Sequence, residues 1–251
     1  MKITLSDMTD MEIKTAVAKR YAEVALTPEA KFNFPVGRQF AESVGYSSEL
    51  LDQLPVSLWE SFTGAGNPQP FVDILPGEVI LDLGCGAGLD LYLYTQATGP
   101  KGKVYGLDLS AEMIAKAEKN LMSLRVHQAE FLWASADHIP LSDGSVDLVT
   151  ANGIYNLSAN KRAVMKEVAR VLKPSGRTIF SEILLTSRLP VKMRENIDDW
   201  FRCIGGALPE QDFLNELEFS GLSQRQILWK GRNARAGHPL AVCAVIKAVK
   251  G

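Results

Sequence analysis

Residues 79–90, VILDLGCGAGLD, constrain this chain more than any other stretch of it. A short apolar run ends in an acid, Asp82, and glycines follow at alternate positions, Gly84, Gly86 and Gly88. An apolar run of this length bounded by glycine reads as a buried parallel strand. Glycines directly after a strand let the backbone turn tightly and approach a ligand. A helical pattern begins at Leu89. The stretch is therefore a strand, a ligand-binding loop and a helix N-terminus.

The spacing narrows the ligand. A dinucleotide fingerprint needs G-x-G-x-x-G, but here the third glycine falls one place early and Leu89 follows it. No G-K-[S/T] follows, which excludes a P-loop. Asp82 would repel a pyrophosphate and suits a cationic ligand. Asp108 ends the next apolar run, VYGLD, at the distance where an acid reaches a ribose hydroxyl pair. S-adenosylmethionine, with an ammonium, a sulfonium and a ribose, meets each of these demands.

These residues, ILDLGCGAG over 80–88 and GLDLS over 106–110, resemble the class I S-adenosylmethionine-dependent methyltransferases. The resemblance implies a doubly wound, Rossmann-like α/β fold on a seven-stranded sheet. It places Asp82, Gly84, Cys85, Gly86 and Gly88 around the cofactor, with Asp108 and Leu109 after the second strand. It sets the adenine beside Leu109, Ala136 and Asp137, with Ser135 in the same turn, and the methionine part near Asn152. In Cys85 the backbone matters, and its thiol is a small packing group.

Composition bounds the rest. At 251 residues the chain holds one α/β domain with additions. A 46% hydrophobic content supports a core. A net charge of −2, from 27 basic and 29 acidic side chains, argues against a general nucleic-acid binder. No apolar run approaches a membrane span, and the N-terminus has no signal-peptide core. Cys85, Cys203 and Cys243 are scattered without metal spacing, which points to a reducing, cytoplasmic setting and no structural metal. The oligomeric state is not legible.

Along the chain, 8–26 carries apolar residues at helical spacing, and short helices are expected over 40–44 and after Ser47. Residues 1–75 form a helical segment ahead of the first strand, read either as a lid over the cofactor or as packing on the sheet edge; 76–251 is the cofactor-binding methyltransferase domain. Within it, strands are expected at 103–109, 129–135, 146–152 and 177–185, with helices at 89–98, 110–124 and 160–172. This alternation calls for a parallel sheet with right-handed crossovers. Helices over 194–204 and 210–219 follow, then two apolar runs, 223–230 and 240–250, joined by a polar loop. The resemblance implies an antiparallel pair there.

A narrower resemblance covers about 45–221. Gly66-Asn67-Pro68, NGIYNLS over 152–158, RVLKPSGR over 170–177 and CIGGAL over 203–208 are similar to the arsenite methyltransferases. That family holds trivalent arsenic with several cysteine thiolates, since a soft metalloid takes soft sulfur ligands. Ala65 and Gly153 stand where two of those cysteines are expected, and only Cys203 keeps its place. One thiolate does not make a multidentate site.

Small residues at 65 and 153 open volume above the sulfonium, and Phe32, Phe34, Phe62, Tyr155, Trp200 and Phe201 are candidates to line it or to pack as core. Glu182, at the end of the fifth strand, is either a general base or an ion-pair partner of Arg177 or Arg188. Cys203 is a relic, a packed small hydrophobe, or a nucleophile or ligand. Three functions follow: methyl transfer to a small-molecule acceptor, arsenite methylation through Cys203, or non-catalytic binding of the cofactor.

Overall fold

A computed structural model describes residues 5–232 and 235–251. Four residues of the expected N-terminal segment, and positions 233 and 234 of the polar loop, lie outside them.

The N-terminal part is helical. α1 (Asp10–Leu26) starts at Thr9, whose hydroxyl accepts from the Glu12 amide while Glu12 accepts from Thr9 N at 2.7 Å. This reciprocal cap satisfies two amides that the helix leaves unpaired. Three short helices follow, α2 (Arg38–Ser43), α3 (Ser48–Asp52) and α4 (Val56–Trp59).

Strands and helices then alternate: β1 (Val79–Leu83), α5 (Leu89–Thr98), β2 (Lys103–Asp108), α6 (Ala111–Ser123), β3 (Ala129–Trp133), β4 (Val146–Asn152), α7 (Lys161–Val171) and β5 (Leu172–Leu185). The short helices α8 (Val191–Arg194) and α9 (Ile197–Phe201), the two-residue strand β6 (Leu208–Pro209) and α10 (Glu210–Phe219) lead to the long strands β7 (Leu222–Arg232) and β8 (Ala241–Lys250).

The strand order is β3-β2-β1-β4-β5-β8-β7, with β6 pairing β5 off this path. The pairs from β3 to β5 are parallel, and β8 runs antiparallel to both β5 and β7. The order reverses at β1, between β2 and β4, and a crevice opens there outside the carboxyl ends of the strands. Alternate residues of β1 serve opposite faces: Leu81 and Leu83 pack with α7 and α10, and Ile80 packs with α5 and α6. α1 lies across α6.

Two expectations need correction. The expected helix over 194–204 is broken, because the Asn196 side chain accepts from Asp198 N at 2.9 Å and restarts the helix as α9. The expected stop at 173–176 lies inside β5. A register shift between Val146 and Leu148 absorbs the extra residues, with Ser175 at φ 62°.

The glycine loop is clipped to β2, since Gly84 N and Cys85 N both donate to Leu107 O, at 2.7 and 3.0 Å. Gly84 has φ 69°, and a Cβ there would stand 2.0 Å from Ile154 Cγ2. Gly86 has φ 53° with open space where its Cβ would be. Gly84→Ala should therefore cost about 3 kcal/mol, strain plus overpacking, and Gly86→Ala about 1 kcal/mol, strain alone. Urea unfolding of the two variants checks this; equal losses would refute the packing argument.

Candidate functional site

The loop, the β2 terminus and the N-terminal helices surround a cavity of about 140 Å³. Its floor is acidic. Asp82, Asp90 and Asp108 all line it and are all buried.

Neutral groups hold each acid. Asp82 accepts from Thr150 Oγ1 at 2.9 Å. Asp90 accepts from Tyr46 OH at 2.6 Å, Gln69 Nε2 at 2.7 Å and Asn152 Nδ2 at 3.1 Å. Asp108 bridges the motif, accepting from Gly86 N at 3.0 Å and Ser110 N at 2.9 Å. No described cation lies in ion-pair contact with any of the three.

Burial raises all three carboxyls. Asp82 is pushed well above its usual range, first by burial and then by the charge of Asp90. Asp90 is raised by burial against the hydrogen bonds from Tyr46, Asn152 and Gln69. Asp108 is pushed up to about 6 by burial, with the Ser110 and Gly86 amides pulling the other way. The site is a cluster of desolvated acids that favours protons or a cation.

Other candidates fall on the same wall. Cys85, Leu109, Ser135, Ala136, Asn152 and Gly153 line the cavity with Gly84 and Gly86. Asn152 spends its amide on the neighbouring loop, accepting from Ala65 N at 2.8 Å and donating to Gly66 O at 2.9 Å. Gly88 lies behind the wall as the left-handed cap of α5.

Asp137 is also off the wall, and Lys14 on α1 pairs with it at 2.6 Å. Burial would raise the Asp137 carboxyl, but the Lys14 ammonium and Ser135 outweigh it and hold it low. α1 supplies Lys14, Val17, Ala18 and Tyr21 to the cavity, and 61–64 supply Ser61, Phe62, Thr63 and Gly64.

Several candidates sit elsewhere. Glu182 is fully buried beneath the 155–157 turn, and its Oε1 accepts from Tyr155 N at 2.7 Å. It does not line the cavity. Nor does it pair with the expected arginines: Arg177 pairs with Glu78 at 2.6 Å and Arg188 with Asp212 at 2.8 Å. The Tyr155 ring packs edge-on against Phe213, 4.9 Å between centroids. Trp200 donates to Leu157 O at 3.1 Å beneath the Lys161 ammonium. Phe32 and Phe34 stack on each other, and Phe201 lies under Arg20. Of the six aromatics, Phe62 alone lines the cavity.

Cys203 is buried, with Sγ 3.4 Å from Gly153 O, one residue back from the wall. Ala65 and Gly153 are adjacent, since a Cβ on Gly153 would lie 3.4 Å from Ala65 Cβ. Cys243 is nearer to this loop than its place in a terminal strand implies: a Cβ on Gly66 would lie 2.7 Å from its Sγ. Burial pushes the Cys203 thiol up to about 11 and that of Cys243 to about 12. Among the described residues no group of three or more metal-ligating side chains forms.

Sequence reading missed Asp90, Tyr46, Gln69, Thr150, Lys14, Tyr21 and Thr63. For Asp90 a signal existed: it sits on the first turn after Gly88, next to the loop it faces. Tyr46 and Gln69 reach it from 44 and 21 residues away, with no local pattern to mark them.

Comparison with known proteins agrees with this geometry. Residues 74–221 match a methyltransferase domain model. An arsenite methyltransferase of Halobacterium salinarum is 37% identical over 164 residues, 65% of this chain and 42% of that protein. A demethylmenaquinone methyltransferase of Lactococcus lactis is 39% identical over 108 residues, 43% of each chain. The chain spans less than half the length of these curated relatives.

Among solved structures, an arsenic(III) S-adenosylmethionine methyltransferase from Chlamydomonas reinhardtii superposes with a TM-score of 0.64 at 24% identity, covering 85% of this chain and 73% of that one. A geranyl diphosphate C-methyltransferase from Streptomyces coelicolor gives 0.66 at 15% identity, covering 95% and 98%. The fold and the acid-floored crevice define a class I, Rossmann-like methyltransferase architecture. The chain belongs to the methyltransferase domain family.

The Asp108 shift fixes a pH dependence. Its folded-state pKa, about 6, lies above its ordinary 3.8, so the folded protein holds the proton more tightly. The stability this gives is fully present below about 3.8 and is lost as pH rises through about 6, on the order of 3 kcal/mol in all. Without ligand, Asp108→Asn should flatten that part of the stability–pH curve. Urea midpoints at pH 4.5 and 7 check it; an unchanged difference between the two pH values would contradict the assignment.

Proposed function

We propose that this chain transfers a methyl group from S-adenosylmethionine to a small-molecule acceptor. The observation that carries this reading is the floor of three buried carboxylates, none paired with a described cation. Buried acids without a counter-charge are costly, and an ammonium with a neighbouring sulfonium answers that cost. The residues fit the group: Asp82 and Asp90 face its cationic part, Asp108 its ribose hydroxyls, and Leu109 and Ala136 wall its adenine. The open space above Gly86 admits it close to the backbone. Bound there, the cofactor supplies an electrophilic methyl group on a positively charged sulfur.

The chain's contribution is positioning and exclusion of water. Residues 5–75 act as the lid of a domain that begins near 76. The supports for this are Lys14 paired with Asp137, and Lys116 on α6 donating to Ala25 O at 3.0 Å and Ser61 Oγ at 2.8 Å. Glu182 and Cys203 hold structure behind the wall in this reading, and no general base is assigned to them. The acceptor enters between α1 and the Gly64–Asn152–Gly153 wall.

Calorimetry with S-adenosylhomocysteine tests the reading. Binding of micromolar order is expected, about −8 kcal/mol, with α1 protected from protease in the complex. Tight binding of NAD with no response to S-adenosylhomocysteine would refute it.

The similarity to arsenite methyltransferases favours a second reading, in which arsenic is the acceptor atom. The thiols argue against it. Cys203 and Cys243 are buried and hold their protons well above neutral pH, whereas soft-metalloid ligation needs thiolates. The protein should be a poor arsenite methyltransferase. Ala65→Cys with Gly153→Cys would place two thiols side by side and should raise arsenite turnover. Position 153 has φ 80°, so the double variant should also lose stability. A native rate equal to that of a full-cysteine relative would restore the arsenic reading.

A further inference from the structure

The acceptor end of the cavity carries a charge that the reading above leaves unused. Arg235, from the loop between β7 and β8, is 3% exposed. Its guanidinium stacks over the Phe34 ring, 5.1 Å from the centroid. It donates to Thr63 Oγ1 at 3.1 Å, Tyr21 OH at 2.5 Å and Phe201 O at 3.0 Å. Its Nε is buried with no partner among the described residues.

No described carboxylate lies within ion-pair distance of it. The acid whose charge reaches it is Glu182, and that group already accepts from Tyr155 N. Lys161 is a second, half-buried cation near the same acid, donating to Ser158 O at 2.8 Å. This corner holds two cations against one carboxylate. It is the opposite of the acidic floor.

Tyr21 and Thr63, which Arg235 grips, both line the cavity. Both hydroxyls accept from the guanidinium, which leaves the Tyr21 phenol its own proton to donate. Hydrogen bonds donated in series from a cation strengthen the last donor. Val17, Phe62, Ile154 and Leu157 make the surrounding wall apolar.

We propose that Arg235, acting through Tyr21 and Thr63, makes this end of the cavity a subsite for an anionic oxygen on an apolar molecule, a carboxylate or a phenolate. The inference rests on reading the cavity as a joint cofactor and acceptor site. It names the class of acceptor that site takes. In this role Tyr21 touches the acceptor, and Arg235 is a positioning residue that polarises it. An acceptor of this class has its charge anchored away from the acidic floor, which turns its apolar body toward the cofactor.

The test uses the full chain saturated with S-adenosylhomocysteine and three added compounds: benzoate, 4-nitrophenolate and neutral benzamide. At least one anion should bind about tenfold more tightly than benzamide, the worth of a hydrogen bond to a charged group. The two anions separate a carboxylate acceptor from a phenolate one. Tyr21→Phe keeps the ring and its packing and should abolish the preference. Arg235→Gln should do the same, and Arg235→Lys should keep part of it.

If Arg235 merely staples α1 to the β7–β8 loop, the variants will lower thermal stability while the anion preference is absent or unchanged. Either result overturns the proposal. Equal binding of benzamide and both anions by the native chain overturns it too. Failure to bind S-adenosylhomocysteine at all would refute the methyltransferase reading and this inference with it. Cofactor binding without an anion preference would refute the inference alone.

Discussion

The structure turns on three carboxylates forced together at the end of β1 and β2. Asp82, Asp90 and Asp108 are buried side by side, and neutral donors hold them in place. Desolvation raises the cost of charging all three, and the charges of Asp90 and Asp108 raise it further at Asp82. Nothing in the packing of the sheet requires this. Thr150, Tyr46, Gln69, Asn152 and the Gly86 and Ser110 amides each spend a hydrogen bond to keep the acids aimed inward. Such an arrangement stores unfavourable electrostatics that a cationic ligand relieves, which is the pattern expected of a binding site rather than of a stabilising core.

The cavity is polarised along its length. One end is acidic and built from the strand termini. The other is closed by α1 and the 61–64 segment, with Arg235 buried and Lys161 half-buried behind it. The two ends come from distant parts of the chain. The sheet and its switch point supply the first, and the N-terminal helices with the β7–β8 loop supply the second. Family membership accounts for the first end alone, and the substrate question lies at the second.

How much of this was legible follows from the range of each signal. The β1–loop–α5 unit, the β2 terminus and the alternation of strands with helices are written in runs of ten to thirty residues, and they were readable. The floor was half readable: Asp82 and Asp108 sit at motif positions, whereas Asp90 depends on which way the first turn of α5 faces. Tyr21 and Thr63 line the cavity, Tyr46 and Gln69 stand behind Asp90, and Arg235 stands behind Tyr21 and Thr63, all through tertiary contacts that no local pattern marks. Glu182 shows the reverse error. The expected place at a strand end is that of a catalytic base, but β5 runs on to Leu185, and the 155–157 turn folds over Glu182 and takes its oxygen. Tyr155 and Trp200 are aromatic and near the motif, yet the core claimed both.

The central claim is that the acids of the floor exist to meet a cation. Proton exchange on ligand binding tests it most directly. Isothermal titration of S-adenosylmethionine between pH 6 and 8, in two buffers of different ionisation enthalpy, gives the number of protons moved. A carboxylate that holds part of a proton in the free protein must give it up when a cation binds beside it. The account predicts net proton release on binding between pH 6 and 8 that is reduced in Asp82→Asn, whose carboxyl burial and the Asp90 charge push well above its usual range. Proton uptake, or binding with no proton exchange across that range, would contradict it.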